Sequence, residues 1–216
     1  MRVLKVSEYR RMPWRNGGGE TAEVAISPTG ATLDDFDWRV SMACIEGDGP
    51  FSIFPQTDRT LTVLRGAGLH LSVADGAPFE LTRNSEPLAF SGDVAVDATL
   101  LGGAVTDLNV MTRRERSKHT MRRAHITGSA EFALEAQLAL LVCAEGSLQV
   151  EVNAQTATLA PLDTLLLDDA PAVLRILSDG PALAYLIEIH RTGPRRGLVP
   201  ASGLANEAEV DTECHY

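Results

Sequence analysis

The sequence predicts an all-β chain made of two similar halves. Three observations carry this. Most of the chain alternates or runs apolar in short pieces separated by Gly, Pro, Asp and Asn, the pattern of strands and turns. Only "SAEFALEAQLALL" (129–141) also carries a helical pattern, and at most its start reads as a turn of helix. The strand-like pieces of the second half repeat the order of the first, and an internal duplication decides the fold of a 216-residue chain.

In the first half the predicted strands are "TAEVAI" (21–26), "FDWRVSMACI" (36–45), "RTLTVLRG" (59–66), "GLHLSVA" (68–74), "DVAVDATLL" (93–101) and "TDLNVMT" (106–112). In the second they are "ALLVCA" (139–144), "SLQVEV" (147–152), "TATLA" (156–160), "DTLLL" (163–167), "AVLRIL" (172–177) and "ALAYLIEIH" (182–190). The copies align by placing Gly66 on Gly146, Asp93 on Asp163, and "TDLNVMTRR" on "ALAYLIEIHR". The predicted organisation is an N-terminal lobe over 1–114, a basic linker over 115–124 and a C-terminal lobe over 125–192. A loosely ordered tail over 193–216 completes it. The linker reading rests on "RRERSKHTMRR" (113–123), a charge run taken as solvated or paired with acidic surface.

Charge and composition exclude several classes. A net charge of −10 disfavours a general nucleic-acid binder, because that affinity comes from neutralising phosphates, and leaves room for a local basic site for one small anion. No stretch of about 18 apolar residues predicts a membrane span, and the N-terminus lacks a signal-peptide pattern, so a cytoplasmic location is expected. Cys44, Cys143 and Cys214 are odd in number and widely spaced, which predicts neither a disulfide framework nor a zinc site.

A half built from short antiparallel strands, a turn glycine, an Asp turn and a closing apolar strand resembles the cupin plan. That resemblance implies a tandem cupin, or bicupin, with two double-stranded β-helix (jelly-roll) barrels in one chain. Many cupins hold a metal through an H-x-H pair, a Glu and a later His. Here "GAGLHLSVA" supplies His70 alone and "GSLQVEV" supplies none, so neither metal ligands nor a cofactor are expected. A nucleophile elbow is missing around Ser41 and Ser52, and Cys44 reads as a packed small hydrophobe, so no catalytic residue is assigned.

The stretch "MPWRNGGGETAEVAI" (12–26) places Gly17, Gly18 and Gly19 after Trp14, Arg15 and Asn16. A phosphate loop fails on context, because no Lys-[ST] follows and an alternating strand stands where a helix is needed. Two readings stay open: a tight turn, or a wall that lets the backbone approach a ligand. Alternation also sets Arg39 and Ser41 on one face of their strand, and Asp107 and Asn109 on one face of theirs. These faces are either solvated or line a polar cavity with Arg59, from "PQTDR", at its mouth.

The blocks "MPWRNGGGETAEV", "FDWRVSMACIEGDGPFSIFPQTDRTLTVLRGAGLHL", "FSGD" and "TDLNVMTRR" resemble the signature blocks of the HutD/Ves family of bacterial bicupins, in that family's order. Gln56 and Leu108 depart from it, where Gly and Phe are common. The resemblance implies a regulatory protein of histidine utilisation that binds a small carboxylate such as N-formylglutamate. It carries no catalytic residue across. The expected ligand-binding set is Trp14, Arg15, Asn16, Gly17, Gly18, Gly19, Glu23, Arg39, Ser41, Arg59, Asp107 and Asn109. Within it Arg15 or Arg59 supplies positive charge, and Trp14 packs on the ligand's apolar stem. The alternatives are a metal-independent isomerase or hydrolase using Glu23 or Asp107 as base, or a partner-binding protein without a ligand. The expected partner is thus a small anionic carboxylate, with no nucleic acid and no membrane, and the oligomeric state stays open between monomer and homodimer.

Overall fold

The computed structural model describes residues 1–15, 17–74, 76–170 and 173–192. Its strands in chain order are β1 (Arg2–Leu4), β2 (Arg10–Pro13), β3 (Gly19–Ser27), β4 (Trp38–Ile45), β5 (Gly49–Pro50), β6 (Thr57–Arg65), β7 (Leu69–Val73), β8 (Phe79–Leu81) and β9 (Leu88–Ser91). They continue as β10 (Val96–Leu100), β11 (Val105–Arg113), β12 (Ser117–Ala133), β13 (Leu138–Glu145), β14 (Leu148–Val152), β15 (Gln155–Leu159), β16 (Thr164–Asp168) and β17 (Val173–Arg191). Among the described residues there is one 3-10 turn, Val6–Glu8, and no α-helix. The all-β expectation therefore holds, and the helical pattern at 129–141 is divided between β12 and β13. Burial along β13 is continuous from Leu138 to Ala144, as in a strand covered on both faces, and overrides its helical spacing.

The chain divides into two compact units. Among the described residues, one comprises Glu8–Arg116 and the other joins Met1–Ser7 to residues 117–192. Two boundaries drawn from the sequence need correction. Met1–Ser7 goes with the second lobe, where β1 pairs antiparallel with β16, Arg2 opposite Leu166 and Leu4 opposite Thr164. The buried Asp163 carboxylate anchors the segment, accepting hydrogen bonds from Lys5 Nζ at 2.7 Å and the Val6 N–H at 3.1 Å. An apolar strand such as β16 leaves a row of unpaired backbone groups along a free edge, and β1 satisfies them.

The second correction concerns the linker over 115–124, most of which is strand. β12 pairs with β17 along its length, from Ser117 opposite Arg191 to Ala133 opposite Val173. Lys118, Thr120 and Arg122 are exposed while His119, Met121 and Arg123 between them are half-buried, so the charge run conceals a period-2 pattern. The basic residues before it serve the first lobe: Arg114 pairs with Asp58 and Asp93, and Arg116 with Asp37. The predicted tail, 193–216, lies outside the described residues.

The first lobe has two sheets, ordered β2-β3-β4-β11-β6-β9 and β5-β10-β7-β8. Ala43, Ile45, Leu61 and Val63 from the first pack on Leu69, Leu71, Leu81 and Val96 from the second. Burying these apolar side chains stabilises the lobe by about 25 cal/mol per Å² of area removed from water. The second lobe is one seven-stranded sheet, β1-β16-β13-β17-β14-β15 with β12 added on β17. Its core holds Leu141, Leu148, Val150, Leu165, Ile176 and Leu186.

Strand pairing exposes the duplication. β6 lies between β9 and β11, as β13 lies between β16 and the second part of β17. β7 pairs with β8 and β10, as β14 pairs with β15 and the first part of β17. Gly66 and Gly146 occupy equivalent turns, both at positive φ. Asp93 and Asp163 do not. Asp93 follows β9, whereas Asp163 precedes the equivalent strand β16, so their alignment was a coincidence of turn chemistry.

Candidate functional site

Directly opposed residues of neighbouring antiparallel strands project to the same face of a sheet. Three such rows cross the centre of the six-stranded sheet. The first runs Arg39, Met111, Arg59, Phe90; the second Glu23, Ser41, Asn109, Leu61; the third Thr21, Ala43, Asp107, Val63. Ala43, Leu61 and Val63 belong to the core shared with the facing sheet, so the polar residues in these rows point to the lobe's interior. Glu23, Arg39, Ser41, Arg59 and Asp107 are all buried. Of the two readings open from alternation, the solvated face is therefore set aside.

Glu23 and Arg39 form an ion pair, Arg39 Nε to Glu23 Oε2 at 2.8 Å, and Arg39 Nη1 also reaches Ser41 Oγ at 3.3 Å. Arg59 is different. It is 5% exposed, yet among the described residues no carboxylate lies within salt-bridge distance. The guanidinium carbon sits 5.4 Å from the Phe51 ring centre, 5.5 Å from Phe54 and 5.1 Å from Phe90. Nη1 donates to the Ser52 carbonyl at 3.3 Å, and the buried Nε–H has no acceptor. Three aromatic faces hold the cation by their ring quadrupoles but accept none of its in-plane hydrogen bonds. Burial pulls the guanidinium down to about 10, with Asp107 opposing the shift and Arg39 adding to it.

Asp107 is 2% exposed, and its Oδ1 accepts the Ala43 N–H at 3.1 Å. Burial pushes its carboxyl up to about 7, against the pull of that N–H and of the Arg59 charge. Beside it Asn109 presents a buried Oδ1 with no donor. A buried cation without a paired anion, next to a carboxyl poised near neutrality and an unsatisfied amide, suits a small anion. Each unsatisfied buried polar group otherwise costs about 1–3 kcal/mol.

The glycine stretch lies at the end of the β2–β3 hairpin. Gly17 N–H donates to the Trp14 carbonyl at 3.0 Å and Trp14 N–H to the Gly19 carbonyl at 2.9 Å, the bonds of a tight loop. Gly17 has φ +69°, and a Cβ on Gly19 would fall against the Cys44 carbonyl and the Trp14 ring. The backbone approach that the glycines permit is therefore to β4. The Gly17 amide is spent on the turn, against the expectation that it faces a ligand, while the Gly18 carbonyl accepts the Glu46 N–H. Trp14 packs on the interior apolar cluster, and its Nε1 donates to Thr21 Oγ1 at 2.8 Å, in the same row as Asp107. Arg15 is exposed and stands apart from the buried rows. Asn16 lies outside the described residues.

The structure thus brings together Glu23, Arg39, Ser41, Arg59, Asp107 and Asn109, with Trp14 on the neighbouring apolar wall. Sequence reasoning missed the Phe51, Phe54 and Phe90 cage. Two of these precede Arg59 in "FSIFPQTDR", a signal readable only once the cation is known to be buried. A surface groove of about 420 Å³ in the second lobe is lined by Ser129, Glu131 and Arg175, but Arg175 is already paired with Glu131 and Glu151. No group of three or more His, Cys, Asp or Glu among the described residues is placed to hold a metal.

A family model described as HutD matches residues 6–184. An uncharacterized 21.2 kDa protein from the hutC 3' region of Pseudomonas putida is 38% identical over 152 residues, 70% of this chain and 78% of that protein. Protein Ves of Citrobacter koseri is 43% identical over 128 residues, 57% of this chain and 65% of its own length. Among solved structures, HutD from Pseudomonas fluorescens, in a formate condition, superposes with a TM-score of 0.74 at 33% identity, covering 89% of this chain and 99% of that one. A Cupin 2 conserved barrel domain protein from Leptotrichia buccalis, 9% identical, superposes at 0.56 over 86% of this chain and 99% of its own, a likeness of fold alone.

Proposed function

The chain belongs to the HutD family of cupin-like proteins, and on that premise we propose that the interior of its first lobe binds a small carboxylic acid such as N-formylglutamate in a regulatory role in histidine utilisation. Arg59 is the observation that carries the reading. A guanidinium buried without an anion, with Nε and part of its edge unpaired, offers the planar fork that pairs bidentately with a carboxylate. Asn109 and Ser41 orient the rest of the ligand, and Trp14 with the Phe cage excludes water. Charge-assisted hydrogen bonds contribute about 1.5–3 kcal/mol each, so two supply a large part of the roughly −8 kcal/mol of micromolar binding.

Calorimetric titration with N-formylglutamate, formiminoglutamate, glutamate, urocanate and formate tests it. Wild type is expected to bind at least one of these acids at micromolar concentration, and Arg59→Lys to weaken that binding about a hundredfold. If no acid binds below millimolar concentration, the reading is wrong. Binding unaffected by Arg59→Lys but lost in Arg15→Ala would move the site to the exposed loop.

One observation favours a second reading. A carboxyl near neutrality beside a buried cation is suited to proton transfer, which would make Asp107 a general base in a metal-independent isomerase or hydrolase. Glu23 is less suited, being held by Arg39. Turnover of the same acids, abolished in Asp107→Asn, would support the enzyme over the sensor.

A further inference from the structure

We propose that Asp107 enters the liganded state as a carboxylic acid, its Oδ2 donating a hydrogen bond to an oxygen of the carboxylate that pairs with Arg59, so that the site takes up its ligand together with one proton. This rests on the carboxylate reading above and adds how the site selects and responds.

The interior charges decide it. The buried ones on the inner face are Glu23 on β3, Arg39 on β4, Arg59 on β6 and Asp107 on β11; on the same face Arg113, half-buried at the end of β11, donates to the Phe36 and Asp34 carbonyls, and Arg10 on β2 is exposed. Glu23 and Arg39 neutralise one another at 2.8 Å. The facing sheet contributes Leu69, Leu71, Leu81 and Val96, which carry no charge. The loop before β6 contributes two Phe rings and the Ser52 carbonyl. His70 on that sheet is half-buried and faces Glu80. Arg59 therefore has Asp107 as its one uncompensated anionic neighbour on this face. A ligand carboxylate bound to Arg59 puts two anions around one buried cation, and two carboxylates sharing a dry site cannot both stay ionised.

The geometry decides which of the two takes the proton. Asp107 Oδ1 is occupied by the Ala43 N–H, and Oδ2 accepts no hydrogen bond among the described residues. The ligand carboxylate has the guanidinium fork to stabilise its charge. Asp107 lacks such a direct contact, and burial already raises its affinity for a proton. A protonated Oδ2 then becomes a donor aimed at an acceptor, where an ionised one would repel it. In this way Asp107 selects ligands that present a carboxylate or carbonyl oxygen beside the group held by Arg59, and disfavours neutral donors.

The test is titration calorimetry of the full chain with N-formylglutamate and glutarate, both fully ionised at pH 7 and above. Each is run in buffers of different ionisation enthalpy to count protons. Uptake approaching one proton per ligand at pH 8 is expected, with affinity falling about tenfold per pH unit above 7. In Asp107→Asn the affinity should vary by no more than about fivefold across pH 6–8.5, and binding should take up no proton. Binding by wild type without proton uptake overturns the inference and leaves the carboxylate reading standing. Failure of every acid to bind at any pH overturns both. A folded Asp107→Asn protein that no longer binds assigns the site an ionised Asp107 and also overturns the inference. Should this variant not fold, carboxyl-carbon NMR of Asp107 in wild type decides. Its titration must move to higher pH on adding ligand; no shift, or a downward one, refutes the proton's location.

Discussion

Glu23 on β3 and Arg39 on β4 form an ion pair at 2.8 Å with both side chains only 6% exposed, in the interior of the first lobe. They lie diagonally across the sheet, because Glu23 opposes Ser41 in register while Ile26 opposes Arg39. Diagonal neighbours on one face of a sheet lie within reach of long side chains, and the register shift between Glu23 and Ala25 falls between the two.

Breaking this pair from one side leaves a charge buried and unpaired. Glu23→Gln is expected to lower the unfolding free energy by about 3–5 kcal/mol. The double variant Glu23→Leu/Arg39→Met should recover most of that loss, since apolar residues of similar volume need no solvation. Urea denaturation of the two variants measures both. A single variant as stable as wild type would mean that water reaches the pair.

Asp107 supplies a pH dependence whose sign follows from its raised pKa. Between about pH 4 and 7 the folded chain retains a proton that the unfolded chain has released, so this group's contribution to stability falls as pH rises through that window and levels off above it. The full span is on the order of 4 kcal/mol for a shift of about three pH units. Asp107→Asn should remove this slope and be more stable than wild type, relative to pH 4, at pH 8. Thermal unfolding of both proteins from pH 4 to 8 gives the difference. Parallel curves would contradict it.

Gly17 and Gly19 should respond differently to a methyl group. Gly17→Ala introduces an L-residue at positive φ with open space around it and should cost about 1 kcal/mol. Gly19→Ala meets the Cys44 carbonyl and the Trp14 ring, so the hairpin must part from β4 and the loss should exceed 3 kcal/mol. Equal melting temperatures for the two variants would show that the close approach is not maintained in solution.

Asp163 ties the N-terminus to the second lobe through Lys5, the Val6 N–H and the Ala160 N–H. Asp163→Ala leaves these donors without their acceptor and is expected to cost about 2–4 kcal/mol. Hydrogen exchange should show protection lost first at Val3, which is paired with Leu165, and at Val6. Unchanged protection there would mean that pairing of β1 with β16 suffices alone.

Alternation and turn residues carried the all-β fold, the two-lobe plan and most of the candidate site. Arg39, Ser41, Asp107 and Asn109 were each placed on the correct strand face because side-chain direction in a strand is a local property with period 2. Sequence also assigned the family, through blocks whose residues are contiguous. Which side of a sheet faces the interior is not local, since the outer positions Trp38, Val40 and Met42 are buried as well and both faces of β4 read alike. Tertiary structure alone decided that the polar rows point inward, that Glu23 and Arg39 pair across a diagonal of the sheet, and that three Phe rings surround Arg59. It also placed Met1–Ser7 with the second lobe and turned a basic run into an edge strand. Each of these depends on contacts between residues distant in sequence, where backbone satisfaction and burial outweigh the local charge and turn signals from which the sequence is read.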